Sequence, residues 1–260
     1  GNPAMVADHI PEMVRAEYFG HPGNQGDAVN WGEALGAAAK HMTAYQGHGS
    51  VATPHGILIT WAVMMNGGIQ VNKLGQRFSN EHRGYSEQAV DVLAQPDQVA
   101  WAILDDRLLT LGHEFEEFNL AEAAGAVRHA KDVEDLSKII DVPMAALQKT
   151  LAETTAHAKG ETTDTFGRDF TTQPALSPPY YAIRVTGALF HTQGGLNIDP
   201  QARVLRPDGS ALPNLYAGGG AACGLSGSQV WGYLSGNGLL TAVNLGRIAG
   251  QTATKFIKEG

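Results

Sequence analysis

Apolar residues at helical spacing mark four segments of the chain. In residues 27–42, Leu35, Ala38 and Met42 keep this spacing, and Asp27 precedes them as a candidate N-cap. The same pattern predicts three further helices, over residues 132–140, 143–157 and 237–257. The second and third of the four helices form a pair, because only a short break containing a proline separates them.

Shorter apolar runs bounded by turn residues predict strands. Residues 69–72 and 76–78 are typical of two strands around a turn, and residues 100–105 and 180–185 each predict a further strand. Residues 161–173 predict a polar, Thr-rich loop. The chain therefore predicts a mixed fold, an α/β body with an α+β middle, and the two ends can belong to one body that is discontinuous in sequence.

Composition narrows the class of protein. The chain has 260 residues, is 43% hydrophobic and carries a formal net charge of −8, which leaves no basic surplus for binding nucleic acid. The longest apolar stretch, residues 56–65, is too short to span a bilayer, so we expect no membrane insertion. The single cysteine, Cys223, permits no disulfide and fits a reducing cytoplasm. The ten histidines lack metal-ligand spacing, so we expect no metal site.

Glycines concentrate toward the C-terminus. Gly194 and Gly195 follow an apolar segment, and Gly236 and Gly238 flank Asn237 at the start of the last predicted helix. A helix start presents backbone N–H groups and a positive dipole end, which favours an anion or a developing negative charge on a planar ligand. Tight packing of glycine-rich turns explains the same pattern equally well.

Several motifs in sequence order resemble the C-terminal half of the fumarate reductase and succinate dehydrogenase flavoprotein family. The branch in question includes flavocytochrome fumarate reductases and 3-ketosteroid dehydrogenases. The motifs are Gly-Asn-Gln-Gly-Asp at residues 23–27, Arg-Phe-Ser-Asn-Glu at 77–81, His-Thr-Gln-Gly-Gly at 191–195, Leu-Tyr-Ala-Gly-Gly-Gly at 215–220 and Gly-Asn-Gly at 236–238. The resemblance covers nearly the whole chain.

The resemblance implies FAD as the cofactor and a division into three segments. Residues 1–54 and 180–260 are expected to form part of an FAD-binding domain, and residues 55–179 a capping domain that covers the substrate. The expected cofactor-binding residues are Thr192, Gly194, Gly195, Gly219, Gly220, Gly236, Asn237, Gly238 and Leu239. Gly220 stands where the family has an acidic residue, so one contact to the ribityl chain is expected to be lost.

The family's opening Gly-x-Gly-x-x-Gly fingerprint is absent from these residues. The chain also opens with Gly1-Asn2-Pro3, which is no signal or transit peptide and suggests the interior of a longer product. We therefore expect that the N-terminal dinucleotide-binding βαβ unit is missing, that an N-terminal FAD-binding half or subunit is the partner, and that this chain alone holds FAD weakly or not at all.

The resemblance also implies catalytic and substrate-binding residues. The family's proton-donating arginine of the cap corresponds to Tyr85, and the carboxylate-clamping arginine has no counterpart. A dicarboxylate substrate is therefore unexpected, since both guanidinium forks are missing, and a tyrosine at this place is similar to ketosteroid dehydrogenases. The expected catalytic residues are Tyr85, Arg83 and His191, and the expected substrate-binding residues are His48, Tyr181, Trp231 and Tyr233.

Two functions remain open from the sequence. The first is an FAD-dependent oxidoreductase that moves a hydride between flavin N5 and an activated carbon–carbon bond of an apolar or keto substrate. The second is a non-catalytic fragment or binding module that holds no FAD without its N-terminal half. For Tyr85 itself, a half-buried packing role is the alternative to acid or base catalysis.

Overall fold

The structure is a computed structural model that describes residues 1–231 and 233–259. Its α-helices, in chain order, are α1 (Pro3–His9), α2 (Asp27–Ala34), α3 (Ala62–Met65), α4 (Tyr85–Leu93), α5 (Asp106–Gly112), α6 (Glu116–Ala123), α7 (Val133–Ile140), α8 (Met144–Ala158) and α9 (Asn237–Glu259). Its strands are β1 (Glu17–Tyr18), β2 (Ala39–Lys40), β3 (Tyr45–Ala52), β4 (Ile57–Leu58), β5 (Ile69–Val71), β6 (Val99–Asp105), β7 (Val127–Ala130), β8 (Tyr180–Thr192), β9 (Gly195–Leu196), β10 (Arg203–Leu205) and β11 (Ala211–Tyr216).

The chain divides into two compact units. Unit 1 comprises Gly1–Val14, Tyr18–Gln46 and Leu189–Gly260, and unit 2 comprises Arg15–Glu17 and Gly47–Ala188. The divisions fall within β3 and β8, whereas the sequence placed them at residues 54 and 180. The functional assignment of the segments, as parts of an FAD-binding domain and a cap, stays a prediction.

Unit 2 is built on an antiparallel sheet with the strand order β4-β3-β8-β6-β5, and β7 also pairs with β8. The β6–β8 register pairs Val99 with Thr186 and Asp105 with Tyr180. Along β6, Ala100, Ala102 and Leu104 belong to one buried core, and Trp101 and Ile103 belong to another. Successive side chains of a strand point to opposite faces, so both faces of this sheet are covered, which explains the uninterrupted apolar run that predicted β6.

Helices supply the two covers. On one face, Val63 and Met64 of α3, Val92 of α4, Leu108 of α5 and Phe118 of α6 complete the first core. On the other face, the second core takes in apolar residues of α7 and α8, namely Leu136, Ile140, Leu147 and Leu151. Asp132 caps α7 through a bond from the Asp135 amide at 2.9 Å, so the predicted helix pair is confirmed nearly to the residue.

Unit 1 combines two short antiparallel ladders with helices α1, α2 and α9. In the β2–β9 ladder, Ala39 pairs with Leu196 and Lys40 with Gly195, and β10 pairs with β11. A small core joins the ladders and consists of Ala37, Leu196, Val204, Leu212, Ala217 and Ala222. The final helix confirms the prediction of a helix from residue 237 onward.

Three local predictions were wrong in their bounds. Helix α2 ends at Ala34 and not at residue 42, because Gly36 adopts a left-handed backbone (φ +86°) and the chain then enters β2. Residues 76–78 form no strand, since the Asn72 amide bonds the Gln76 carbonyl at 2.9 Å and closes a tight loop there. Strand β8 runs on to Thr192, well beyond the predicted end at residue 185.

Candidate functional site

Unit 1 contains a cavity of about 530 Å³, a size ordinary for a cofactor or drug-sized ligand. The start of α2 and the end of β8 contribute to its wall. The lining residues are Gly1, Asn2, Met5, Val6, His9, Ile10, Tyr18, residues 23–29, Met42, Phe190, His191, Thr192, Gly194, Gly220, Ala221 and Gly238. Thus His191 and four of the predicted cofactor-binding residues, Thr192, Gly194, Gly220 and Gly238, meet at one cavity.

The glycines around this cavity differ in whether a side chain would fit at their positions. A Cβ added to Gly194 would lie 2.6 Å from the Met42 Cα, and one added to Gly195 would lie 2.5 Å from the Ala222 carbonyl carbon. These two glycines therefore permit close packing of the backbone, which is the simpler of the two explanations that the sequence left open. A Cβ at Gly220 would meet nothing within 4 Å, although Gly220 lines the cavity. Gly220 thus leaves open space at the wall of the cavity.

The start of α9 is organised by Asn237. Its side chain is buried, its Oδ1 accepts the Leu225 amide at 3.3 Å, and its Nδ2 donates to Ser226 Oγ at 2.9 Å and to Gln193 Oε1. These contacts hold the 225–226 loop against the helix start. Among the other predicted cofactor-binding residues, Gly219 and Gly236 adopt left-handed backbone conformations (φ +55° and +81°), and Leu239 is 79% exposed.

Two of the predicted active residues, His191 and Tyr233, meet in unit 1. His191 Nε2 lies 3.3 Å from Tyr233 Oη, and the rings pack edge-on with centroids 5.7 Å apart. On the other side of the imidazole, Gln193 Nε2 lies 2.9 Å from His191 Nδ1. Burial lowers the pKa of His191 below its usual value, which favours the neutral imidazole. The predicted substrate residue Trp231 is 59% exposed, in the loop before α9.

A second His–Tyr pair lies in unit 2. The ring of His48 on β3 stacks on that of Tyr85, the first residue of α4, with centroids 5.0 Å apart and planes 20° from parallel. Trp61 meets His48 edge-on at 5.7 Å. The Ser50 amide donates to His48 Nδ1 at 3.2 Å, and burial lowers the pKa of His48 to about 3. His48 is therefore a neutral imidazole at any physiological pH.

Two predicted residues of unit 2 have other partners. Arg83, half exposed, forms an ion pair with Asp91. Tyr181 donates to Asp106 Oδ1 at 2.6 Å, and this hydrogen bond, with burial and the charge of Asp106, raises the Tyr181 pKa to about 12. Gly47, which precedes His48, packs near the Ala188 carbonyl. Tyr181 lies roughly 23 Å along β8 from Ala188, at about 3.3 Å per residue, so Tyr181 is distant from the His48 end of β3.

Unit 2 also contains a network of buried charged side chains around Glu81. The Glu81 carboxylate accepts from Arg77 Nε at 2.9 Å, from Arg77 Nη2 at 2.7 Å and from Arg168 Nη1 at 3.0 Å. Arg77 Nη1 also donates to Asp164 at 2.7 Å. Both guanidiniums stack over Phe170, at 4.7 and 4.3 Å. These arginines are therefore committed to carboxylates of the protein itself.

Sequence reasoning missed two residues that the geometry brings into these pairs. Gln193 was visible only as the variable position of the His-Thr-Gln-Gly-Gly motif, and no residue pattern indicated its contact with His191. Trp61 lies within the apolar stretch of residues 56–65 and was not singled out there. Its buried Nε1 has no hydrogen-bond partner within residues 1–231 and 233–259, which makes it a candidate donor for a ligand oxygen.

No set of three or more His, Cys, Asp and Glu side chains within the described residues is arranged to hold a metal ion. Nor does any described helix have the length and apolar character that crossing a membrane requires.

Comparison with known proteins places this geometry among flavoproteins. Residues 1–239 match the model of a family described as FAD binding domain. The fumarate reductase (cytochrome) of Shewanella frigidimarina is 31% identical over 99% of this chain, which covers 44% of that relative. The chain thus spans less than half the length of the curated relative that it matches.

Two solved structures share the fold. The open conformation of a flavocytochrome c3 fumarate reductase has a TM-score of 0.74 at 29% identity, over 98% of this chain and 44% of that one. The 3-ketosteroid-Δ4-(5α)-dehydrogenase of Rhodococcus jostii RHA1, in complex with 4-androstene-3,17-dione, has a TM-score of 0.70 at 25% identity, over 97% of this chain and 50% of that one.

Proposed function

Since the chain belongs to the FAD-binding domain family, we propose that it forms the flavin-facing and substrate-capping part of an oxidoreductase. The proposed reaction interconverts a single and a double carbon–carbon bond next to a carbonyl group in an apolar or keto substrate. When bound, FAD supplies the N5 position that gives or takes the hydride. The chain's own residues supply binding, orientation and proton movement.

The observation that supports the substrate class is the lack of positive charge on His48 and His191. His48 has a pKa of about 3 and that of His191 is lowered, so neither offers a positive charge at neutral pH. Arg77 is bound by carboxylates and Arg83 is paired with Asp91. Dicarboxylates such as fumarate are bound best by guanidinium forks. Neutral imidazoles and phenols instead suit the oxygen of a ketone, as in the steroid named with the R. jostii structure.

Each residue then has a proposed role. Tyr85 moves the proton that accompanies the hydride, and the stacked ring of His48 holds the phenol in place. In unit 1, His191 and Tyr233 bind or polarise the substrate carbonyl. Unit 2 contains most of residues 55–179, the proposed capping domain, and the role proposed for such a domain is to exclude water. Arg83 remains a weaker candidate for the proton path, because its guanidinium already binds Asp91.

The unit 1 cavity is the proposed flavin site. His191, Thr192, Gly220 and Gly238 line it, and the open position at Gly220 would accept a ring that a side chain would exclude. Glycine in place of an acid at residue 220 supplies no carboxylate for the ribityl hydroxyls. The start of α2, at residues 23–29, lies in the same wall.

The proposed partner is an N-terminal FAD-binding half, as a preceding segment or a separate subunit. The fingerprint that cradles a pyrophosphate is not in this sequence. Unit 1 also exposes large apolar side chains on α2, at its C-cap and on α9, with Trp31 68%, Leu35 63%, Leu239 79% and Val243 70% exposed. A partner that covers these side chains would remove them from water. The cytoplasmic location predicted from the lone cysteine stays a prediction.

The experiment that tests the reaction is Tyr85→Phe in the flavin-loaded protein, assayed with a cyclic 3-ketone and an artificial electron acceptor. A positioned acid or base contributes roughly a hundred- to ten-thousand-fold in rate, so kcat should fall at least a hundredfold with an unchanged flavin spectrum. Tyr180→Phe is the matched control, since it removes the hydroxyl group of a buried tyrosine in the second core of the same unit. A Tyr85→Phe enzyme with the parent rate makes Tyr85 a packing residue.

The alternative, a fragment that holds no FAD by itself, is tested separately. The backbone contacts that remain contribute on the order of 1 kcal/mol each, against several kcal/mol for immobilising a ligand. We therefore expect the purified chain to lose its flavin absorbance band on dialysis. Protein that stays yellow and releases FAD on denaturation would show that these 260 residues suffice.

A further inference from the structure

A chain of buried side-chain amides leads to His191 in unit 1. Gln193 is 5% exposed and Asn237 is 1% exposed, so neither exchanges its partners readily with water. The backbone of Gln193 is fixed at both ends, because its N–H donates to the Ala44 carbonyl and its carbonyl accepts the Gly224 amide, each at 2.7 Å. The side chain of Gln193 is therefore held between Asn237 and His191.

The orientation of each amide follows from a backbone group whose role is fixed. The Leu225 amide can only donate, so the Asn237 atom that it meets at 3.3 Å must be the oxygen. Asn237 then turns its NH₂ toward Gln193, and the Gln193 atom that accepts it must also be the oxygen. Gln193 consequently presents its NH₂ to His191 Nδ1 at 2.9 Å.

From these constraints, we propose that Gln193 and Asn237 are positioning residues that keep the His191 proton on Nε2. A neutral imidazole has one donor and one acceptor nitrogen. Nδ1 accepts from Gln193, so Nε2 carries the proton and donates to the Tyr233 phenol oxygen at 3.3 Å. One contact favours the opposite tautomer: the Thr192 carbonyl lies 3.5 Å from Nδ1 and would accept a proton there. At 3.5 Å that bond is at the limit of hydrogen-bond distance, and the 2.9 Å contact outweighs it.

The consequence for Tyr233 rests on the proposed function. A phenol oxygen that accepts a hydrogen bond becomes a better donor through its own O–H, because hydrogen bonds in a chain polarise one another. Tyr233 would therefore act as a donor, and the group that it recognises is an acceptor such as a ketone oxygen. Reversing the His191 tautomer would make Nε2 an acceptor and draw the Tyr233 proton toward it.

Two isosteric variants reverse the chain of donors. In Gln193→Glu, one carboxylate oxygen accepts from Asn237 and the other requires a proton on His191 Nδ1. In Asn237→Asp, the carboxylate turns the Gln193 NH₂ toward itself, so the Gln193 oxygen faces Nδ1, which must again carry the proton. The negative charge at residue 237 lies at the first residue of α9, where a helix start stabilises it. Ser226→Ala is the control, since it removes the Ser226 hydroxyl that accepts from Asn237 and from the Leu234 backbone N–H, but keeps the contacts that join Asn237, Gln193 and His191.

The readout is the ¹⁵N spectrum of the His191 ring, assigned by comparison with His191→Gln. Parent protein and Ser226→Ala should show an unprotonated Nδ1, and both Gln193→Glu and Asn237→Asp should show a protonated Nδ1. A protonated Nδ1 in the parent, or an unchanged tautomer in a folded Gln193→Glu or Asn237→Asp, overturns the proposal. This spectrum does not depend on turnover, so it fails independently of the proposed function.

Activity of the flavin-loaded variants tests the role of Tyr233. Loss of one neutral hydrogen bond to substrate should lower kcat/KM roughly five- to tenfold, with Ser226→Ala unchanged. A reversed tautomer with the parent kcat/KM would show that Tyr233 does not donate to the substrate, while leaving the oxidoreductase assignment intact.

Discussion

The buried carboxylate of Glu81 gives the sharpest prediction about stability. The Glu81 carboxylate accepts hydrogen bonds from Arg77, from Arg168 and from the backbone N–H of Gln70, the last at 3.1 Å. The Glu81 side chain is 1% exposed. Glu81→Gln keeps the shape but replaces one acceptor oxygen with an NH₂ group that faces guanidinium donors. The change also leaves the buried Arg168 without a counter-charge at this contact.

The size of the loss in unfolding free energy depends on which carboxylate partners the two arginines retain. Removing one partner of a buried ion pair usually destabilises a protein by about 3–5 kcal/mol. Arg77 retains Asp164 at 2.7 Å, so we expect the lower end, about 3 kcal/mol. Glu134→Gln is the matched control. Its pair with Lys138, at side-chain exposures of 62% and 69%, is screened by water, so the free energy of unfolding should stay nearly unchanged.

Urea unfolding followed by circular dichroism measures both variants. Burial alone would raise the pKa of Glu81, but the hydrogen bonds and charge of Arg77 and the charge of Arg168 hold it well below its usual range. The stabilisation is therefore fully present above the unfolded-state value of about 4.3 and is lost as the pH falls below it. The difference between parent and Glu81→Gln should shrink in acid. A Glu81→Gln protein within about 1 kcal/mol of the parent at pH 7 would refute this account.

Three further predictions concern single contacts. Gly195→Ala should lower the melting temperature by several degrees, because its Cβ meets the Ala222 backbone. Gly220→Ala, whose Cβ meets nothing within 4 Å, should keep the melting temperature, and in protein supplied with its N-terminal half it should weaken flavin binding in a spectral titration. The pKa of His48 is lowered in the folded state, so the unfolded chain binds the proton more readily. The free energy of unfolding of the parent should therefore decline as the pH falls from about 6.5. His48→Gln should show a shallower decline. Asp106→Asn should bring the Tyr181 pKa down from about 12, seen as an earlier tyrosinate absorbance step, and an unchanged titration would contradict the hydrogen bond.

The sequence predicted those parts of the fold in which one local pattern decides the outcome. Strand β6 is apolar on both faces, and α7 begins at an aspartate that caps it. The end of α2 could not be predicted from spacing, because the apolar residues continue to Met42 while a left-handed Gly36 ends the helix. Periodicity reports which face is buried, but not where a backbone turns.

The candidate site shows a similar division. The family motifs indicated His191 and Thr192, and both residues line one cavity, while their roles stay predictions. The contacts of His191 with Tyr233 and of His48 with Tyr85 join residues far apart in sequence. Such contacts cannot be predicted from composition. Arg168 lies in the segment that was predicted as a polar, Thr-rich loop, yet its side chain is buried. Its guanidinium donates to Glu81 and stacks over Phe170.

Strand β8 determines when unit 2 can fold. It is the last strand of its sheet along the chain, and it pairs with β1, β3, β6 and β7. Pairings across so long a sequence separation are typical of slow folding, because the entropy of closing the loop is lost before the contacts form. During synthesis, the apolar faces of β6 and of helices α3 to α8 must wait for residues 180–188 to leave the ribosome. A chaperone that shields apolar segments would therefore act on the first 180 residues, and truncation before β8 would leave a chain that aggregates.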